Sequence, residues 1–300
     1  LSTVDRYRHP PDPSVLPTLR KSYPSRPALQ HCVWVPRSYK SGDPCLPIYV
    51  HLHGGGWLLG DPEGDAAICS GLANKHNLLV IAISYSKAPT HCFPTPGEEV
   101  LLTVKDILED QSLPTDPSRV ALGGFSAGAN LATVTSMLLG SKIKALITVV
   151  PLLDFVTSVP DKMMSRYKLD KGDALEGMWH IFEYAYVPAG ANKSDLRLSP
   201  LFFTDRGSLP DHVYIVTAEE DMLGNEGRLM AEKLAGLESG SRRGHYLWSE
   251  GTVRFECVKG QTHLFAQERL EGEAEQTRLD VVNGLFDRIG DWLVHDALGS

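Results

Sequence analysis

The chain has 300 residues, is 42% hydrophobic and 22% charged, and carries a formal net charge of −8 with a pI near 5.8. The composition is ordinary for a globular protein with a substantial core, in one large domain or two small ones. The acidic balance argues against a polyanionic partner such as nucleic acid. No apolar stretch approaches the length of a membrane span. The five cysteines (Cys32, Cys45, Cys69, Cys92, Cys257) are an odd, scattered set without zinc-knuckle or C-x-x-C spacing. Free thiols, no structural metal and a reducing, cytoplasmic location are therefore expected. The sequence starts at Leu1 rather than at a methionine, which leaves room for residues upstream.

Residues 1 to about 30 are rich in proline and charge and lack clear periodicity until the run His31 to Val35, so they read as an arm over the body. Strands and helices then alternate. Pro47 to Leu52 reads as a strand, Ala66 to His76 as a helix and Leu78 to Tyr85 as a strand. Glu98 to Asp110 has Val100, Leu101, Val104, Ile107 and Leu108 at helical spacing. Later strands are expected at Ala145 to Pro151, His212 to Thr217 and Thr252 to Val258, with helices at Glu226 to Leu237 and Val281 to Leu298. This alternation predicts a mostly parallel sheet with helices on both faces. Between Asp154 and about Leu209 no convincing strand occurs, and Asp173 to Tyr186 reads as an aromatic-rich helix, so an inserted helical segment is expected there.

Gly124-Phe125-Ser126-Ala127-Gly128 lies between a short apolar run, Arg119 to Gly123, and a helical pattern, Ala129 to Leu139. Glycines flanking a serine permit a sharp strand-to-helix turn that presents the hydroxyl at the carboxyl edge of a sheet. An ordinary Gly-Ser turn has the same composition, and chance alone supplies G-x-S-x-G in roughly one such chain in five. His53-Gly54-Gly55-Gly56 is rarer, expected by chance in about one chain in a hundred. Consecutive glycines can present backbone N–H groups to a developing oxyanion, and a flexible turn also uses them.

A serine nucleophile needs a base, and the base needs an orienting acid. Asp221 follows the strand ending at Thr217, and His263 falls in the last strand-to-helix loop. The order serine, acid, histidine is the one this architecture uses. His51-x-His53 places two imidazoles on one strand face, as a metal site would, but without further ligands at suitable spacing.

These motifs, with Tyr85-Ser86-Lys87-Ala88-Pro89, Phe93-Pro94, Pro151-Leu152-Leu153-Asp154 and Ser199-Pro200-Leu201, carry a resemblance from about residue 45 to the C-terminus. The sequence resembles the hormone-sensitive-lipase-like branch of the α/β-hydrolase fold esterases, including arylacetamide deacetylase-like carboxylesterases. The resemblance implies an α/β-hydrolase fold over residues 1–300, with a helical cap from about 1–30 and 155–209. It implies Ser126 as nucleophile, His263 as general base, Asp221 as the orienting acid, and an oxyanion hole from Gly55, Gly56 and Ala127. His53 is expected to brace the glycine loop. The implied activity is hydrolysis of a small or medium apolar ester without cofactor or metal, by a monomer or homodimer. A tailoring enzyme performing lactonisation, acyl transfer or elimination is the alternative, as is a receptor on a retired scaffold. Plant gibberellin receptors resemble the family but lack the histidine that His263 supplies here. Three positions depart from the branch's pattern: Phe125 stands where Asp is usual, Thr90 replaces the Glu of the Tyr-Arg-Leu-Ala-Pro-Glu pattern, and Asn225 is neutral.

Overall fold

All seven residues of strand β3 (Leu46–Leu52) are buried. Ile48, Val50 and Leu52 face one core and Tyr49 the other, as required of a strand covered on both sides. The computed structural model describes residues 12–169 and 172–299. Around β3, eight further strands form one sheet: β1 (Leu19–Tyr23), β2 (Arg26–Trp34), β4 (Leu79–Ile83), β5 (Thr115–Phe125), β6 (Ala145–Val149), β7 (His212–Ala218), β8 (Leu247–Glu250) and β9 (Val253–Val258). Their order is β1-β2-β4-β3-β5-β6-β7-β9-β8. The six strands from β4 to β9 in that order run parallel. Antiparallel pairs close both edges.

Parallel strands put their carboxyl ends on one edge. Register aligns Leu52 with Ile83 and Gly124, Phe125 with Val149, and Ala218 with Val258. Every loop leaving that edge therefore meets the others. Helices α1 (Ala66–His76) and α7 (Gly272–Trp292) cover one face through Leu72, Ala73, Leu285 and Ile289. Helices α2 (Thr95–Glu109), α3 (Ala127–Leu139) and α6 (Gly224–Leu234) cover the other through Val100, Val104, Leu131 and Met230. Each such Val, Leu, Ile or Met side chain contributes about 1.5–3 kcal/mol on full burial, so the two cores dominate stability. This is the α/β-hydrolase arrangement expected from the sequence.

Between β6 and β7 the described residues contain no strand. They form α4 (Val159–Met164) and α5 (Ala174–Tyr186). Asp173 caps α5, its carboxylate accepting the Leu175 N–H at 2.8 Å. Leu175, Trp179 and Tyr186 share the buried face, while Ile181 and Tyr184 point outward.

The N-terminal expectation needs correction. Leu19–Tyr23 and Arg26–Trp34 are an edge hairpin of the sheet, not an arm lying across the body. The earlier part of the expected cap, residues 1–11, lies outside the described residues. Helix α7 also starts at Gly272, before the expected Val281; its first turns are mostly polar and exposed and so show no apolar periodicity. All five cysteines are free thiols. No helix among the described residues is long and apolar enough to cross a membrane.

Candidate active site

Ser126 joins β5 to α3 with φ 51° and ψ −116°. Such a backbone costs a non-glycine residue on the order of 1–3 kcal/mol, and it persists only where the surroundings enforce it. The enforcement is visible. Ser126 N–H donates to the Val149 carbonyl at 3.0 Å, and the Ser126 carbonyl accepts from Asn130 N–H at 3.1 Å. A Cβ on Gly128 would fall 2.2 Å from the Leu52 carbonyl oxygen and 2.4 Å from that of His53. The crowding expected at the elbow is thus crowding against the end of β3, while the positive φ belongs to Ser126 itself.

The structure brings the three distant sequence candidates together. His263 Nε2 lies 2.9 Å from Ser126 Oγ. His263 Nδ1 lies 2.9 Å from Asp221 Oδ2. Asp221 Oδ1 accepts the Leu223 N–H at 2.9 Å, which fixes the carboxylate. Asp221 and His263 are buried, and Ser126 is partly open. Burial works against a charged His263, but the attraction and hydrogen bond of Asp221, helped by Asp173 and Glu226, outweigh it and raise the imidazole above its ordinary value.

The glycine loop leaves β3 and turns over Ser126. Gly55 has φ 113° and Gly56 φ 59°. Among the described residues, no hydrogen bond occupies the N–H of either glycine. Ala127 opens α3, so its N–H is one of the donors a helix start leaves free. His53 lies under this loop: its Nδ1 is 2.6 Å from the Gly54 carbonyl, and its ring stacks on Tyr85 at 4.5 Å. Lys87 Nζ sits 3.1 Å from His53 Nε2. Burial first and Lys87 second depress His53 to about 3, so the ring is neutral, with Nδ1 donating and Nε2 accepting. Lys87 is itself lowered to about 8 by burial. His51, the other half of the H-x-H pair, is bound to Asp65 at 2.8 Å and faces Phe125 edge-on. It is buried and does not line the cavity that opens on Ser126. No group of three or more potential metal ligands occurs among the described residues.

A cavity of about 260 Å³ opens on Ser126 and His263. Leu59, Phe155, Leu175, Met178, Trp179 and Phe182 give it a largely apolar wall. No described residue before His53 lines it; its described lining comes from the glycine loop and the turn after it, the elbow, the β6–β7 insertion, Leu223 of the acid loop and the His263 loop. Phe125 also reaches the cavity and packs against Phe286 at 5.8 Å.

Four residues that sequence reasoning left without a site role sit close to it. Asn130, fully buried, donates to the Leu152 and Leu198 carbonyls at 2.8 Å each and ties α3 to the insertion's two roots. Glu226 accepts the Leu153 N–H at 2.6 Å and pairs with buried Lys162. Asp173 and Phe182 on the insertion helix touch the acid and glycine loops. Asp173 carried a local signal, an aspartate preceding a helical pattern, and Phe182 stood among the aromatics of that helix; the other two are long-range contacts.

Residues 49–267 match a family model described as alpha/beta hydrolase fold. An arylesterase of Saccharolobus solfataricus is 33% identical over 198 residues, covering 64% of this chain and 63% of the relative. An ethyl acetate hydrolase of Pseudomonas putida is 29% identical over 64% of this chain and 62% of its own length. The matches thus span under two thirds of these two relatives. A solved esterase of Pyrobaculum calidifontis superposes with a TM-score of 0.72 at 26% identity, covering 92% of this chain and 84% of that one.

Proposed function

Because the chain belongs to the alpha/beta hydrolase fold family, we propose that it is a serine carboxylesterase acting on a small or medium, fairly apolar ester. The observation that carries this reading is the bridge made by His263, 2.9 Å from Ser126 Oγ on one side and 2.9 Å from Asp221 on the other. The names of the relatives, arylesterase and ethyl acetate hydrolase, support an ester as substrate.

Ser126 Oγ attacks the ester carbonyl while His263 Nε2 takes its proton. Asp221 keeps the other imidazole nitrogen protonated and stabilises the imidazolium that forms. The tetrahedral oxyanion is held by the N–H groups of Gly55, Gly56 and Ala127, with α3's positive end behind them. Collapse expels the alcohol, which takes the proton from His263 and leaves an acyl group on Ser126. Water, deprotonated by His263, then releases the acid and restores the serine. His53 is neutral and braces the loop without titrating.

The apolar wall of the 260 Å³ cavity favours apolar acyl or alcohol groups over charged ones. The five free thiols support a reducing, cytoplasmic setting for a monomer or homodimer with a small-molecule partner. Turnover of p-nitrophenyl acetate and butyrate by the parent and by Ser126→Ala tests the reading; equal rates would end it. A retired scaffold is distinguished by a fluorophosphonate, which labels a competent Ser126 stoichiometrically.

A further inference from the structure

Helix α5 touches the proposed catalytic machinery near both of its ends. At its start, Asp173 Oδ1 caps the helix through the Leu175 N–H, while Oδ2 accepts the N–H of Met222 at 2.6 Å. Met222 is the residue after Asp221. Two turns from the cap, Trp179 faces the cavity, and its indole N–H donates to Glu183 at 2.7 Å. Near the helix end, the Phe182 ring covers Gly56 so closely that a Cβ on that glycine would lie 2.3 Å from Phe182 Cδ1. One turn further, Tyr186 stacks on Trp57, rings parallel within 2° and 4.0 Å apart. The Tyr186 carbonyl also accepts the Phe93 N–H at 2.9 Å.

We propose that α5 is a positioning element of the active site in addition to a wall of its cavity: Asp173 holds the acid loop in register with His263, and Phe182 holds the glycine loop over Ser126. Both are positioning residues, acting through Asp221 and Gly56. The proposal rests on the esterase reading for what those loops do. Two loops that leave the sheet from opposite sides of Ser126 are thereby fixed to one rigid body. A helix secured in this way does not swing clear as a lid; lifting it would free the oxyanion donors and the acid together.

Asp173 also contributes charge. Burial and the neighbouring Asp221 raise its own pKa, and with Asp221 and Glu226 it raises that of His263. The charged groups around the imidazole are therefore Asp221, Asp173 and Glu226, the last paired with Lys162 and beside Asp154. Replacing Asp173 by Asn keeps an acceptor for the Met222 N–H and removes the charge.

The test compares the full chain with Asp173→Asn, Asp173→Ala, Phe182→Ala and Phe182→Leu, each checked for a cooperative thermal melt. Titration of the His263 ring by NMR, which needs no turnover, should show a lower pKa in Asp173→Asn than in the parent. An unchanged value would overturn the charge contribution of Asp173; Asp173→Ala, which removes the acceptor for the Met222 N–H, should lower kcat about tenfold, and an unchanged kcat would overturn its hold on the acid loop. On p-nitrophenyl acetate, a substrate small enough to ignore the wall, Phe182→Ala should lower kcat about tenfold with KM altered less than about twofold. Phe182→Leu, which still covers Gly56, should recover most of the loss, and it carries the comparison if Phe182→Ala does not fold. Unchanged kcat in both, or an effect confined to KM, would leave α5 as a wall only and overturn the proposal. Failure of the esterase reading is separately visible: the parent itself would neither hydrolyse the ester nor accept a fluorophosphonate at Ser126.

Discussion

A Cβ placed on Gly124 would fall 2.3 Å from the carbonyl oxygen of Leu52, at the end of the neighbouring strand. The Cβ would be fixed directly to the β5 backbone and the oxygen belongs to the β3 backbone, so neither can rotate away. Gly124→Ala is therefore expected to push β5 from β3 and to cost about 3 kcal/mol, at the upper end of ordinary overpacking. Urea unfolding measures this directly, as a lower midpoint at unchanged slope. A midpoint equal to the parent's would show that the elbow has slack the geometry does not reveal.

Gly55 tests the oxyanion assignment. Its φ of 113° is closed to other residues, and a Cβ there would meet the Leu59 carbonyl at 2.4 Å. Gly55→Ala must rotate the peptide carrying the proposed donor. Loss of one such donor lowers kcat by about 10²–10³. Steady-state kinetics on p-nitrophenyl acetate should show that loss in kcat, and a variant within twofold of the parent would exclude Gly55 from the oxyanion hole.

The pH profile follows from His263. Burial opposes its charge, yet Asp221 and the nearby carboxylates raise it above the ordinary 6.5. As the proposed base, His263 must be neutral to accept the Ser126 proton, so kcat/KM should be full at alkaline pH and fall as pH drops through a value above 6.5. In Asp221→Asn the raising partner is gone and burial remains. The acid limb should move to lower pH, while kcat falls on the order of 10⁴-fold from loss of the orienting bond. A limb that stays in place would detach His263 from the profile.

Glu226 governs a different pH response, that of stability. Burial outweighs the pull of Lys162 and raises its carboxyl from 4.5 to about 7. The folded state thus binds this proton more tightly than the unfolded state does. Its stabilising contribution is complete below about pH 4.5 and is lost as pH rises through about 7. Thermal melts of the parent across that window should decline more steeply than those of Glu226→Gln. The same comparison in a His263→Gln background removes the imidazole, whose pKa Glu226 itself helps to raise, and so isolates Glu226. Parallel curves would refute the assignment.

The parts of the site that lie at strand ends were legible because chain grammar fixes them. Ser126, Asp221 and His263 each follow an apolar run and precede a helix, so a parallel sheet gathers them at one edge. The edges of the sheet were not legible for a matching reason. In β1, Leu19 and Arg20 are exposed, and in β8 only Trp248 is buried, so neither strand shows an apolar run. Strand identity there comes from pairing with β2 and β9, which is a property of the fold. Asp173 against Met222 and Phe182 against Gly56 belong to the same category. Their residue types are unremarkable, and only the docking of α5 makes them neighbours.

The distance along the chain between the members of the proposed triad has a consequence for folding. His263 meets Asp221 across 42 residues and Ser126 across 137. Contacts so far apart in sequence pay their loop-closure entropy before they return any stabilisation, and they form late. β9 must pair with β7 before the His263 loop reaches the serine. Recovery of the proposed hydrolysis during refolding should thus lag behind recovered helix content, and that activity would report the closing of the last parallel strand.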